Sequence, residues 1–173
     1  NLMRLEVNDM VGHLDEIGGP NHYNNYPWGW AQAGNTPLRF YKQNTYEGGI
    51  RDPLIIHWPN GIDDPGGIRD QYHHVIDVMP TVLDVVGVVP PENFQGIEQQ
   101  PVEGTSMRYT FPSNAVDVTT NRPKQYYEMM GHRAIWSNGW KAVTMHRKGE
   151  AFEDEEWALY NTKKDFSECH DLS

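Results

Sequence analysis

An Asn-Gly pair at residues 138–139 constrains the fold of the C-terminal region more than any other feature. Runs containing Tyr, Trp, Val and Ile surround it at residues 125–130, 133–137, 140–146 and 157–160. Residues of these types favour strands, and Asn-Gly supplies the two positive-φ positions of a tight hairpin turn. The sequence therefore predicts a small antiparallel β subdomain over residues 124–173.

A short apolar run between two prolines indicates a different architecture earlier in the chain. Residues 54–58 read Leu-Ile-Ile-His-Trp and lie between Pro53 and Pro59. An unbroken apolar run of this length is typical of a strand buried on both faces of a parallel sheet. The fold class predicted from this run is α/β.

The clearest helix signal lies at residues 80–86. Pro80 suits the first turn, Asp77 can cap the N-terminus and Gly87 can end the helix. Apolar residues recur with helical spacing at Met79, Val82, Leu83 and Val86. We expect this stripe to be a core face that packs on the sheet.

Composition divides the chain into three predicted parts. Residues 1–100 form the main α/β part, with a loop-rich insertion at 18–37 where Gly, Pro, Asn and aromatic residues show no helix or strand period. Residues 101–123 are rich in Pro, Asn, Gln and Thr and form a linking passage. Residues 124–173 are the antiparallel subdomain.

The charge balance and the cysteine content exclude several function classes. The 173 residues contain 14 Lys and Arg against 24 Asp and Glu, a net charge of −10, which disfavours nucleic acid as a partner. No apolar run approaches the roughly 18 residues of a membrane-spanning helix, so no membrane partner is expected. Cys169 is the single cysteine, which excludes an internal disulfide and a CxxC zinc site.

Two histidines in the N-terminal loop region are candidate site residues. His13 and His22 occur near Asp15 and Glu16, a combination that can bind a cation or transfer a proton. Hydrogen bonding within the loop is the alternative for both.

The segment at residues 38–53 has the composition of an anion site. It reads LRFYKQNTYEGGIRDP, with Lys42, Arg39 and Arg51 around two adjacent glycines. Paired glycines permit close backbone approach or positive φ, and an ammonium group is a compact charge suited to the oxygens of an anion. A positively charged turn without a ligand is the alternative.

This segment resembles the C-terminal active-site segment of the sulfatases, which are relatives of alkaline phosphatase. Four other stretches resemble sulfatase segments and occur in the same order. Residues 18–36 resemble an insertion, and residues 77–87 resemble a helix of that family. Residues 131–143 and 157–172 resemble the small C-terminal subdomain of bacterial arylsulfatases. The resemblance implies an α/β fold that is the C-terminal part of an alkaline phosphatase-like sheet, followed by a small antiparallel β subdomain.

The resemblance also implies a mechanism that this chain only partly supplies. In sulfatases a Cys or Ser in a C/S-x-P-x-R segment becomes formylglycine, and calcium held by Asp and Asn side chains draws charge from the sulfate. No C/S-x-P-x-R segment is present, and Cys169 lacks the proline and arginine that should follow it. The nucleophile and the calcium ligands are therefore expected upstream of Asn1, and the chain is expected to need the N-terminal part of the same protein and to be inactive alone.

Lys42 matches the family's lysine that contacts the sulfate ester, and it is the predicted catalytic residue. Its ammonium would stabilise charge on the bridging oxygen; an ion pair with Glu47 is the structural alternative. Candidate substrate-binding residues are His13, His22, Trp28 and Arg51, although Arg51 also suits a role in positioning the turn. A small-molecule sulfate ester, such as an aryl sulfate, is the expected substrate.

Two other functions fit the same sequence. Phosphoester or phosphonate hydrolases share the superfamily sheet and differ in metals and nucleophile. A noncatalytic carbohydrate- or aryl-binding module could use an aromatic cluster, since aromatic side chains stack on sugars and aryl rings. That cluster consists of Tyr23, Tyr26, Trp28 and Trp30.

Overall fold

The computed structural model describes residues 11–16, 18–20 and 27–173. Its α-helices are α1 (Trp28–Asn35), α2 (Glu47–Ile50) and α3 (Val78–Val86). Its strands are β1 (Asn93–Phe94), β2 (Ile97–Glu98), β3 (Lys124–Met129), β4 (His132–Ser137), β5 (Trp140–Thr144) and β6 (Ala158–Asn161). Short 3-10 turns lie at Leu14–Glu16, Val75–Asp77, Arg108–Thr110, Ser113–Ala115 and Phe152–Asp154.

The C-terminal strands form the predicted antiparallel sheet. Strands β3, β4, β5 and β6 pair in that order, each antiparallel to its neighbour. Ser137 pairs with Trp140, so Asn138 and Gly139 form a two-residue turn with φ angles of 49° and 90°. Two positive φ angles match the I′ geometry, because its twist fits the flanking strands. The predicted hairpin is confirmed.

The predicted helix is also confirmed, as α3, but the prediction that Asp77 caps its N-terminus is wrong. Gly87 ends it in the left-handed conformation at φ 70°, and the N–H of Val88 donates to the Leu83 carbonyl at 2.9 Å. Asp77 precedes the helix but makes no capping bond to it. Its carboxylate is fully buried and accepts the backbone N–H of Thr105. This contact with a distant segment takes the place of the capping bond that the local sequence predicts.

Most of the stripe predicted as the core face of α3 is exposed, so the prediction that the stripe is buried is wrong within the described residues. Met79, Val82 and Val86 are 56%, 54% and 61% exposed, and Leu83 alone of the stripe is partly buried. The side that faces the protein carries Thr81, whose hydroxyl donates to the Asp77 carbonyl and accepts from the N–H of Met107. Within the described residues, no sheet lies over the stripe.

The strand predicted at residues 54–58 is not formed. These residues belong to no helix or strand, and Leu54, Ile55 and Ile56 are 57%, 91% and 40% exposed. A strand needs a hydrogen-bonded neighbour, and the described residues form only the β1–β2 pair and the β3–β6 sheet. An apolar run alone therefore did not decide its structure.

Two segments predicted as loop or linker have more structure than expected. Part of the predicted insertion at 18–37 is the helix α1. In the passage at 101–123, the side chains of Met107, Phe111 and Ala115 are buried. The boundaries of the three predicted parts stay predictions.

The principal apolar cluster joins the segment around Lys42 to the C-terminal sheet. Tyr46 is buried with Ala134, Val143 and Tyr160, and Phe40 packs against them. Because Tyr46 comes from the N-terminal half of the chain, this cluster places residues 39–50 against the sheet.

Candidate active site

Lys42 lies on an exposed loop whose backbone is strained on both sides. Phe40 and Gln43 have φ angles of 61° and 70°, in the left-handed region that residues other than glycine seldom adopt. Each such residue costs about 1–3 kcal/mol and persists only when its surroundings fix it. Lys42 is exposed, and among the residues that the structure describes no ion pair involves it.

Asn35, the last residue of α1, fixes both ends of this loop. Its Nδ2 donates to the carbonyl oxygen of Phe40 at 2.6 Å and to that of Gly48 at 2.7 Å. The N–H of Gly48 also donates to the Arg39 carbonyl at 2.9 Å. These bonds bring the two ends of the loop together, and Lys42 lies between them, two residues after Phe40.

Gly48 and Gly49 are required for close approach and not for positive φ. A Cβ atom on Gly48 would overlap the carbonyl oxygens of Arg39 and Phe40, and one on Gly49 would overlap the carbonyl of Asn44. Neither glycine has a positive φ. Of the two explanations that the sequence allowed, the structure shows close backbone approach.

Arg39 and Tyr46 attach the loop to the sheet. Arg39 Nη1 donates to the Tyr160 hydroxyl at 3.0 Å and to the Glu168 carbonyl at 3.2 Å. Its guanidinium lies 4.6 Å from the centre of the Tyr46 ring, a cation–π distance. Burial is the main reason that the pKa of Tyr46 is raised to about 12, so this hydroxyl stays protonated at neutral pH.

Glu47 does not pair with Lys42. Its Oε1 lies 3.0 Å from the ammonium of Lys141, and its Oε2 lies 3.7 Å from Arg51 Nη1. The carboxylate is therefore engaged by two other cations. No sequence motif marks Asn35 as a residue that supports the site, and Lys141 stands in the sequence only as part of a segment that resembles the sulfatase subdomain.

The candidate substrate-binding residues that the structure describes lie in three separate parts of the chain: Arg51 follows α2, Trp28 is in α1, and His13 precedes the turn at Leu14–Glu16. Arg51 is half exposed, and its guanidinium lies 5.6 Å from the centre of the Phe166 ring. Trp28 begins α1 with its side chain 76% exposed. His13 Nδ1 lies 3.2 Å from Glu16 Oε1. His22 lies outside the described residues, as do Tyr23 and Tyr26.

The described residues contain no group of three or more His, Cys, Asp or Glu side chains that could hold a metal ion. His73 and His74 lie next to the buried Asp77, and burial is the main reason that their pKa values are lowered. The N–H of His74 donates to Asp77 Oδ2 at 2.8 Å, while the buried Nε2 of His73 has no hydrogen-bond partner among the described residues. In the part of the chain that is described, no helix is both long and apolar enough to cross a membrane.

The sequence pattern of the N-sulphoglucosamine sulphohydrolase C-terminal family matches residues 38–173. An uncharacterized sulfatase of Schizosaccharomyces pombe is 32% identical over 161 residues, which are 92% of this chain and 28% of that protein. The chain therefore spans little more than a quarter of that relative's length.

Two solved structures have a similar fold. One belongs to the core genetic locus for metabolism of multiple glycosaminoglycans by Bacteroides thetaiotaomicron, with 19% identity, a TM-score of 0.56, and coverage of 76% of this chain and 27% of that one. The other is BT4656 in complex with its substrate D-glucosamine-2-N,6-O-disulfate, with 23% identity, a TM-score of 0.50, and coverage of 69% and 23%.

The family match identifies the chain as the C-terminal portion of a sulfatase, and the two solved structures share its fold. The chain belongs to the sulfatase family, in the group with the N-sulphoglucosamine sulphohydrolase C-terminal domain. The predicted family and fold class are confirmed.

Proposed function

We propose that this chain is the C-terminal part of a sulfatase that hydrolyses sulfate monoesters of the aryl sulfate type, with Lys42 as a catalytic residue. The observation that carries the proposal is the presentation of Lys42. Its ammonium is exposed, no described residue forms an ion pair with it, and it lies on a strained loop with both ends fixed by Asn35. A cation presented in this way can bind an anionic substrate.

The role of Lys42 follows from the charge that develops during the reaction. As the S–O bond breaks, negative charge accumulates on the oxygen of the leaving group. A preorganised ammonium next to that oxygen stabilises the transition state by about 3 kcal/mol, the value typical of one oxyanion donor. Fixing the loop before substrate binds avoids the cost of ordering it during the reaction.

Calcium and formylglycine complete the proposed mechanism from outside this chain. The described residues do not fit a calcium site, and the sequence has no C/S-x-P-x-R segment that could supply formylglycine. We therefore place the nucleophile and the metal ligands in the remaining part of the sulfatase. In isolation, residues 1–173 with millimolar calcium should release no phenolate from an aryl sulfate, and activity should need the N-terminal part.

Substrate contacts beyond Lys42 are proposed at Trp28, Arg51, His13 and His22. Trp28 offers an exposed indole face for stacking on an aryl or sugar ring, and Arg51 offers a second cation. The relation to BT4656 makes a sulfated glucosamine a second substrate to assay. Membership of the sulfatase family favours sulfate over phosphate as the group that is cleaved.

The test is the Lys42→Ala substitution in the full-length sulfatase. We expect kcat for an aryl sulfate to fall by about 100-fold or more, with poor leaving groups affected most. Lys148→Ala is the matched control, because Lys148 is an exposed lysine on a turn outside this loop. If the Lys42→Ala enzyme is folded and its kcat stays within about twofold for good and poor leaving groups, Lys42 lies outside the site.

A further inference from the structure

Lys141 is a fully buried cation on the sheet face that carries the apolar cluster. Lys141 and Val143 are two positions apart along β5, so their side chains point to the same face of the sheet. Its ammonium lies 2.7 Å from Glu168 Oε1 and 3.0 Å from Glu47 Oε1. Glu168 is fully buried as well. We call Lys141, Glu47 and Glu168 the buried triad.

The buried triad is costly to form, which calls for a reason beyond stability. Removing charges from water carries a large penalty, and ion pairing inside a protein often only offsets it. Burial is the main reason that the pKa of Glu168 is raised, although Lys141 acts in the opposite direction. Glu168 Oε1 contacts the ammonium without a well-angled hydrogen bond. The desolvation penalty is offset only while the three charged groups keep their mutual geometry, so the cluster favours one arrangement of the segments that carry it.

The arrangement that it specifies is that of the Lys42 loop. Glu168 Oε2 accepts the backbone N–H of Glu47 at 2.7 Å, at the C-terminal end of the loop. The Glu168 carbonyl accepts from Arg39, at the N-terminal end. Glu168 itself has a φ of 55°, so its backbone is held in the same strained region as Phe40 and Gln43. One residue from the C-terminal segment thus contacts both ends of the loop.

We propose that Lys141 and Glu168 are positioning residues that fix the Lys42 ammonium at the sulfate ester by holding Glu47 and the strained loop on the C-terminal sheet. This inference rests on the proposed function of Lys42. It gives the small C-terminal sheet a part in catalysis, since β5 supplies a charge on which the geometry of the reacting site depends.

The experiment uses two variants of the full-length sulfatase. Lys141→Met removes the cation and keeps an unbranched side chain, while Glu168→Gln keeps the size of the side chain and an oxygen acceptor for the Glu47 N–H. Glu155→Gln is the matched control, because Glu155 is also a buried carboxylate, 2.6 Å from Arg133, and its partners in the described structure are Arg133 and His146, outside the loop. Any general effect of losing a buried ion pair should appear in all three.

We expect kcat to fall by about tenfold in both triad variants, while KM changes less, because the loss is in transition-state stabilisation. In the Lys42→Ala background the same substitutions should have no further effect on kcat, since positioning matters only when the ammonium is present. Amide hydrogen exchange at residues 40–47 should become faster in Glu168→Gln and stay unchanged in Glu155→Gln.

Three results would overturn the inference. The first is a folded triad variant with kcat equal to that of the Glu155→Gln control. The second is a loss of kcat that is equally large with and without Lys42. The third is unchanged hydrogen exchange in the loop of Glu168→Gln. Failure of the proposed function is distinguishable, because Lys42→Ala alone would then leave kcat unchanged while the triad variants could still accelerate exchange in the loop.

Discussion

Arg122 and Asp77 form a buried ion pair at the start of α3. Arg122 Nε donates to Asp77 Oδ2 at 3.0 Å, and Nη2 donates to Oδ1. The same carboxylate, which has no exposed surface, accepts the backbone N–H groups of His74 and Thr105, each at 2.8 Å. Through Thr105 and Arg122, Asp77 therefore joins the start of α3 to both ends of the passage at 101–123.

The Asp77→Asn substitution should strongly destabilise the protein. It removes the charge opposite the Arg122 guanidinium, which is itself mostly buried, and breaking a buried pair from one side costs about 3–5 kcal/mol. Urea denaturation of the two proteins gives the difference in unfolding free energy. Asp84→Asn is the control on the same helix, because Asp84 pairs with Arg108 at an exposed position. Equal losses in the two variants would contradict the assignment of the energy to burial.

The contribution of Asp77 should disappear in acid. Burial by itself raises the pKa of this carboxyl, but hydrogen bonds from Arg122, Thr105 and His74 outweigh burial and hold the pKa below its usual range. A carboxyl with a lowered folded-state pKa stabilises the protein above the unfolded-state pKa and loses that contribution as pH falls through the folded-state value. The wild-type minus Asp77→Asn difference in unfolding free energy should be constant near neutral pH and narrow below about pH 4. A difference that is flat to the acid limit would contradict this.

An alanine at Gly48 or Gly49 should destabilise the Lys42 loop. The added Cβ would overlap backbone carbonyls, which cannot move aside as a flexible side chain can. We expect each variant to lose about 2 kcal/mol or more, measured as a shift in denaturation midpoint. Gly34→Ala is the control, because a Cβ there meets no atom within 4 Å and lies inside α1. That variant should gain about 0.5–1 kcal/mol; a loss as large as at Gly48 would contradict the argument.

The sequence predicts those elements whose cause is local. Asn138-Gly139 dictates its own turn, and Gly87 ends α3 through its own backbone conformation. The run at 54–58 was misassigned because a strand depends on a neighbour that the run itself does not contain. The exposed stripe of α3 shows the same limit, since periodicity identifies an apolar face but not what covers it.

From the sequence, only the part of the candidate site that lies within a single motif could be predicted. Lys42 and the paired glycines stand within one short segment. The residues that hold that segment come from elsewhere: Lys141 lies 94 positions from Glu47, and Glu168 lies 121 positions away. The sequence does contain one indication for Lys141, which lies two positions before Val143 in a predicted strand and therefore on the same face. A lysine on a core face implies a buried carboxylate partner.

The Asn35 side chain should be required for the shape of the Lys42 loop, because its amide donates to two carbonyl oxygens and neither alanine nor aspartate supplies that donor. In Asn35→Ala, the carbonyls of Phe40 and Gly48 lose their donor, which costs about 1–3 kcal/mol for partly buried groups. In Asn35→Asp, a carboxylate would face the same two oxygens, so repulsion adds to the loss. We therefore expect Asn35→Asp to be the less stable of the two.

In the full-length sulfatase, both substitutions of Asn35 should lower kcat for an aryl sulfate by about tenfold, because the Lys42 loop is no longer preorganised. Gln32→Ala is the control, since Gln32 lies on the same helix and its side chain donates at 3.2 Å to the Leu38 carbonyl, outside the loop. An Asn35→Asp enzyme as stable and as active as Gln32→Ala would show that this side chain does not hold the loop.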